Sequence, residues 1–176
     1  MSLWKKVLPL ALVAVLFIMS AGSAAAVKPD ERLTIVDVAI AANAPGGPFE
    51  GTFDTLIAAI VAADPAVLAT LDGNGQFTVF APTDDAFAAL GLDASNIGTE
   101  LSQDDLTQIL LYHVARGNRE SGEVLDSDQI RMLSRGFTYI SLQEGMPYIN
   151  QARIIVPDVT MPDNGVIHAI DAVLLP

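Results

Sequence analysis

Apolar positions follow two regimes along this chain. From Thr34 to His113 they recur mostly at helical spacing, and from Glu123 onward they mostly alternate as strands do. One stretch, Phe77-Thr78-Val79-Phe80-Ala81-Pro82, interrupts the first regime. Its adjacent Val79 and Phe80 predict a strand buried on both faces. Pro82 ends the ladder, because it has no N–H to donate. Thr83 then caps a helix by accepting a backbone N–H one turn on. Asp84 and Asp85 fall in the first turn, where the helix dipole favours negative charge. Phe87 packs back over Pro82 as a staple.

The flanking segments read in the same way. Thr34 caps a helix with Ile35, Val36 and Ile40 inward, which ends before Asn43-Ala44-Pro45-Gly46-Gly47-Pro48. Phe53, Leu56, Ile57, Ile60 and Val61 form one wide helical stripe. Asp64-Pro65 closes that helix and opens another, with Val67, Leu68 and Leu71 inward. Residues 91–99 read as a loop. Ser102 caps the next helix, with Asp105 at the reciprocal position. Leu106, Ile109, Leu110 and His113 form its inner face, and Gly117 ends the helical region.

A short helical turn is expected at Glu123 to Ser127. Strands are then expected at Arg131–Leu133, Phe137–Leu142, Pro147–Ile149, Arg153–Val159, Val166–Ile170 and Val173–Leu175. Gly145 and Asp163-Asn164-Gly165 mark hairpin turns. Pro157 requires an edge strand or a bulge. Helices followed by a run of strands give an α+β domain.

Composition changes this picture mainly at the beginning. Two lysines in Met1 to Lys6 precede the apolar run Val7 to Met19 and the small residues Ser20 to Ala26. Ala24-x-Ala26 completes the anatomy of a secretory signal peptide, residues 1–26, ahead of one domain, residues 27–176. The competing reading is an uncleaved anchor, since the uncharged run reaches the roughly 20 residues that span a bilayer. Its second half of Ala, Ser and Gly contributes little to insertion, which favours cleavage. The expected location is secreted, periplasmic or cell-surface, with no membrane span after cleavage.

The chain has no cysteine, so neither a lipoprotein anchor nor disulfides are expected. Its formal charge is −12, and loss of the two signal lysines takes it to −14. That acidity repels nucleic acid and anionic membranes. Solubility, a saline habitat or a cation-bridged partner would each account for it.

Reactive chemistry finds little support. The histidines are His113 and His168. The first lies on an apolar helix face and the second between Val166 and Ile170 on one strand face. Two histidines without cysteine make a poor metal set. Asp84-Asp85 and Asp104-Asp105 are explained by helix starts. Asp72-Gly73-Asn74 begins like a calcium loop, but Phe77 and Thr83 stand where glycine and glutamate are needed. There is no G-x-S-x-G elbow and no phosphate-cradling loop. The expectation is no enzyme, no metal and no cofactor.

Three segments resemble the signatures of fasciclin domains: Phe77 to Leu90, the Leu111-Tyr112-His113-Val114 motif, and Asn164 to Pro176. The resemblance covers nearly the whole chain after its first thirty residues. It implies N-terminal helices packed on a twisted wedge of antiparallel strands. It also implies non-enzymatic recognition or adhesion through an extracellular protein or polysaccharide partner. In animal members the Tyr-His motif, here Tyr112-His113, is linked to adhesion. Some members hold carotenoids, which implies an alternative: an apolar small molecule between the signatures. The matching residues would be Phe80, Ala81, Pro82 and Thr83 from the first, and Ile167, His168 and Ala169 from the last.

Overall fold

The computed structural model describes residues 33–160 and 162–176; the expected signal segment and the lead-in to Arg32 lie outside them. Capping chemistry sets the helix starts. Thr34 makes a full capping box with Asp37 at the head of α1 (Ile35–Asn43). After α2 (Asp54–Ala62), Asp64 accepts from the Ala66 N–H and opens α3 (Pro65–Leu71). The first strand, β1 (Phe77–Pro82), runs directly into α4 (Asp84–Ala88), capped by Thr83. A single turn, α5 (Ile97–Glu100), occupies part of the expected loop, and Ser102 caps α6 (Gln103–Tyr112).

The strand-rich half comprises β2 (Val114–Arg116), α7 (Ser121–Leu125), β3 (Gln129–Arg131) and β4 (Phe137–Gln143). It continues with β5 (Met146–Ile149), β6 (Ala152–Thr160) and β7 (Gly165–Ile170). Their spatial order is β2-β1-β7-β6-β5-β4-β3. An antiparallel bridge, Ala115↔Met132, joins the two ends, so the sheet wraps around and meets itself. The fold is α+β, as expected.

The sheet is mixed, with one parallel pair between β1 and β7. Strands joined by tight turns must run antiparallel, whereas β1 meets β7 through a long connection. Gly165 lies at the start of that pair, where a Cβ would collide with the Phe77 carbonyl oxygen and come within 2.7 Å of Ile35 Cδ1.

Alternation along β1 and β7 divides the interior in two. Phe77, Val79, Ala81, Ile167 and Ala169 face the helices and pack with Leu56, Phe87, Leu106 and Leu110. Phe80 and Ile170 face into the wrapped sheet with Tyr112, Ile130, Ile149 and Leu174. Phe80 is fully buried.

Several expectations shift. Ile40, Val61 and Leu68 are 46%, 78% and 39% exposed, so the apolar faces of α1, α2 and α3 are narrower than their sequence stripes. Helix α6 stops at Tyr112 and the chain extends as β2, because Val114 takes a place beside Val79 in the ladder. The β3 strand ends at Arg131, where a tight turn begins with the Arg135 N–H donating to the Met132 carbonyl. Residues 173–175 form no strand; Val173 enters the helix-side core and Leu174 the other, which gives an extended tail a strand's pattern. Pro157 lies in an interior strand, and the register shifts between Val156 and Thr160. Asp158, at φ 49°, marks that irregularity, so the bulge is the alternative realised.

Candidate functional site

The two signatures meet where β1 and β7 pair in register, Phe80 beside His168 and Ala81 beside Ala169. The Phe80 and His168 rings stack with centroids 5.4 Å apart and planes 28° from parallel. His168 is fully buried, and its nitrogens are both engaged. Nε2 lies 2.9 Å from the Arg119 carbonyl, and Nδ1 lies 3.1 Å from the Asp158 N–H. A carbonyl can only accept and an N–H can only donate, so the ring is neutral with its proton on Nε2. Burial lowers its pKa, against the Arg119 carbonyl and the Asp158 carboxylate, which both favour the charged form.

His113, just past the end of α6, repeats this arrangement with the other tautomer. Nδ1–H donates to the Ile109 carbonyl at 2.8 Å, and Nε2 accepts the Leu174 N–H at 2.9 Å. Burial lowers its pKa to about 4, with the Ile109 carbonyl opposing. Both rings join a carbonyl to a distant N–H that would otherwise be left unpaired in the interior. Their chemistry in this state is that of neutral struts.

Tyr112 points to the opposite side from His113. Its hydroxyl donates to the Phe137 carbonyl at 2.9 Å and accepts from Asn150 Nδ2 at 3.3 Å, tying α6 to β4 and to the β5–β6 turn. Thr83 caps α4, and Ala81, Ile167 and Ala169 pack under the helices. Of the nine residues singled out from sequence, Pro82 and His113 reach the wall of an open groove. That groove, of about 330 Å³, runs between the helices and the C-terminal tail, with Leu56, Phe87, Leu106 and Ile109 among its lining and Glu100 as its one carboxylate. A separate gap of about 30 Å³ between the helices and β1/β7 has room for about one water.

Nothing in the sequence marks Leu90, Leu92, Leu101 and Leu175 as groove residues, since each reads there as ordinary core or tail. Asn164, read from the sequence as a turn residue, is wholly buried. Its Oδ1 accepts the Ile35 N–H at 2.7 Å while Nδ2 donates to the Leu71 carbonyl at 2.8 Å, fastening α1 and α3 to the start of β7. Among the described residues, no cluster of three or more His, Cys, Asp or Glu suits a metal ion. Among them also, no single helix is long and apolar enough to cross a membrane.

The class defined by these features is an α+β module whose buried polar residues hold its own strands and helices. The sequence profile of the fasciclin domain matches residues 51–176, and the chain belongs to that family. Protein sll1483 of Synechocystis sp. is 41% identical over 149 residues, covering 84% of this chain and 76% of that protein. The transforming growth factor-beta-induced protein ig-h3 of Sus scrofa is 33% identical over 129 residues, 72% of this chain and 18% of its own. A solved FAS1 domain pair from the insect cell adhesion molecule fasciclin I superposes with a TM-score of 0.58 at 21% identity, over 70% of this chain and 45% of that one. That last likeness is one of fold.

Proposed function

We propose that the chain is an exported, non-enzymatic recognition module that binds an extracellular protein or polysaccharide through its surface. Membership of the fasciclin family carries this reading. Supporting it, the Tyr112-His113 motif and His168 are engaged in interior hydrogen bonds, which leaves contact with a partner to exposed residues. Export rests on the N-terminal pattern, with cleavage near Ala26. The test is co-sedimentation of the purified, folded mature chain with cell envelopes and extracellular matrix from its source. Saturable binding is expected, and a folded sample that binds neither removes the proposal.

A second reading, binding of an apolar small molecule, is favoured by the groove beside Pro82 and His113. Its volume, about 330 Å³, falls at the low end of ligand pockets, and its lining is mostly apolar. Native mass spectrometry of protein taken from its own source would show an adduct of lipid or pigment mass. A bare polypeptide mass would remove this reading and leave the first intact.

A further inference from the structure

The chain is strongly acidic, yet its positive charge is concentrated. Of nine basic residues, four arginines line one concavity of about 460 Å³: Arg116, Arg119, Arg131 and Arg135, with Met132 and Leu133 as its apolar part. Among the described residues, none of the four lies within ion-pair distance of a carboxylate; Arg153 does, 3.4 Å from Asp171.

The concavity sits on the seam that closes the sheet. The bridge Ala115↔Met132 places Arg116 opposite Arg131 in antiparallel register. Ala115 and Met132 point inward and are buried, so the two arginines share the outer face. Like charges directly opposite on neighbouring strands are destabilising. With 21 acidic residues in the chain, the lack of a carboxylate between them is notable electrostatically.

Arg119 is placed by the wedge itself. Its N–H donates to Thr78 Oγ1 at 2.9 Å, and its carbonyl accepts from His168 Nε2–H at 2.9 Å. The hydrogen-bonded Thr78 and His168 of the two signatures therefore fix the backbone of a surface arginine. Its Nε is buried and has no hydrogen-bond partner among the described residues. Arg135 is held at φ 74° in the turn after β3. Guanidinium groups present planar forks that match carboxylate and sulfate oxygens.

We propose that this concavity is an oxyanion site for a short acidic saccharide, with carboxylate or sulfate groups held between Arg116, Arg131 and Arg119. The assignment rests on the recognition role above and names its partner class. An acidic peptide that docks on the arginines and outcompetes the uronate would overturn the saccharide assignment, whereas a peptide that adds a strand needs a free edge. Here the outer edges of β2 and β3 meet each other, so that mode is closed. A long polyanion would run onto Glu120, Glu123 and Asp126, which line the neighbouring concavity. A segment of a few sugars fits the space between these constraints.

The test uses the full mature chain, titrated calorimetrically with a galacturonate tetrasaccharide, a neutral galactose tetrasaccharide and inorganic sulfate. The acidic sugar binds, the neutral one does not, and sulfate binds at least tenfold more weakly than the acidic sugar. Affinity falls as salt rises. The double variant Arg116→Gln/Arg131→Gln loses at least tenfold in affinity, while its Tm stays equal or rises because a repulsion is removed. Equal binding of the neutral sugar, or an unchanged affinity in the double variant, overturns the site. Sulfate binding as tightly as the uronate overturns the saccharide assignment. A single-stranded oligonucleotide that outcompetes the uronate does the same. Matrix binding that survives in the double variant overturns this site and leaves the recognition role standing. Retained uronate affinity in a chain that binds no matrix keeps the site and removes the role.

Discussion

The helix-side core and the core inside the wrapped sheet share β1 and β7, yet they are held together differently. The helix side is mostly aliphatic and aromatic, with His113 and Asn164 among its few buried polar groups, and it opens onto the groove beside α6. The sheet side carries Thr78, Tyr112, Thr138 and His168, each bonded to backbone. Helices satisfy their own backbone groups, so what packs between them need not be polar. A short sheet that bulges at Pro157 and closes through one bridge leaves carbonyls and N–H groups turned inward. Inward polar side chains take up those groups, at the cost of a core that must stay dry and correctly protonated.

Truncating a ring on each side tests this contrast most strongly. Phe80→Ala should destabilise by about 3–5 kcal/mol, since the fully buried ring leaves a cavity with fixed walls. Phe87→Ala, beside the groove, should cost less, because its surroundings already have room to relax. Urea denaturation of both variants gives the comparison. Equal losses would mean that the two cores are equally rigid.

Acid should expose the struts next. Above pH 6.5 a histidine is neutral in both folded and unfolded chains and adds no slope. As pH falls from 6.5 toward 4, the unfolded chain binds a proton at His113 that the folded chain refuses. Stability therefore drops across that window, by about 3 kcal/mol for His113 if its pKa is displaced as far as burial dictates. His168 acts in the same direction. Urea midpoints measured between pH 7 and pH 4.5 should decline, and His113→Gln should flatten the curve. A wild-type midpoint that stays level would show that the rings are open to water.

Asn164→Ala comes third. It removes the acceptor for the Ile35 N–H and the donor to Leu71, at an expected cost of about 1–3 kcal/mol. Replacement by Asp restores only the acceptor and should recover part of the loss. Full tolerance of alanine would show that α1 and α3 are held by packing alone.

Much of this was legible because it is local. Thr34, Asp64, Thr83 and Ser102 cap the helices they immediately precede, and the Phe77–Pro82 strand shows in its own residues. What escaped depends on residues far apart in sequence. Asn164 looked like a turn residue, and Asp158 looked like nothing in particular. Asp158 Oδ1 and Oδ2 accept the N–H and hydroxyl of Ser121 at the head of α7, across 37 residues. The parallel β1–β7 pair and the Arg116–Arg131 juxtaposition arise from sheet closure, which no periodicity encodes. Seven of the nine candidate site residues, Phe80 to Thr83 and Ile167 to Ala169, were legible as a junction. Which of the nine would wall an open groove depended on how the tail after β7 crosses α6.

The smallest effect separates two neighbouring carboxylates that sequence reasoning treated alike. Asp84 and Asp85 both sit in the first turn of α4, where the dipole favours them equally. Only Asp84 reaches beyond its own helix: Oδ1 accepts the Thr55 N–H at 2.8 Å and Oδ2 the Asp54 N–H at 3.2 Å. Phe53, the residue before helix α2, offers no side-chain cap, so Asp84 supplies one from 30 residues away. Asp84→Ala should cost about 1 kcal/mol, as a lost cap does, and Asn should restore much of it. Asp85→Ala, exposed and bonded to no other element, should change stability by less than about 0.5 kcal/mol. Thermal melts of the two alanine variants side by side decide the matter. Equal shifts would mean that the dipole alone explains both residues, and that α2 owes nothing to the signature strand's helix.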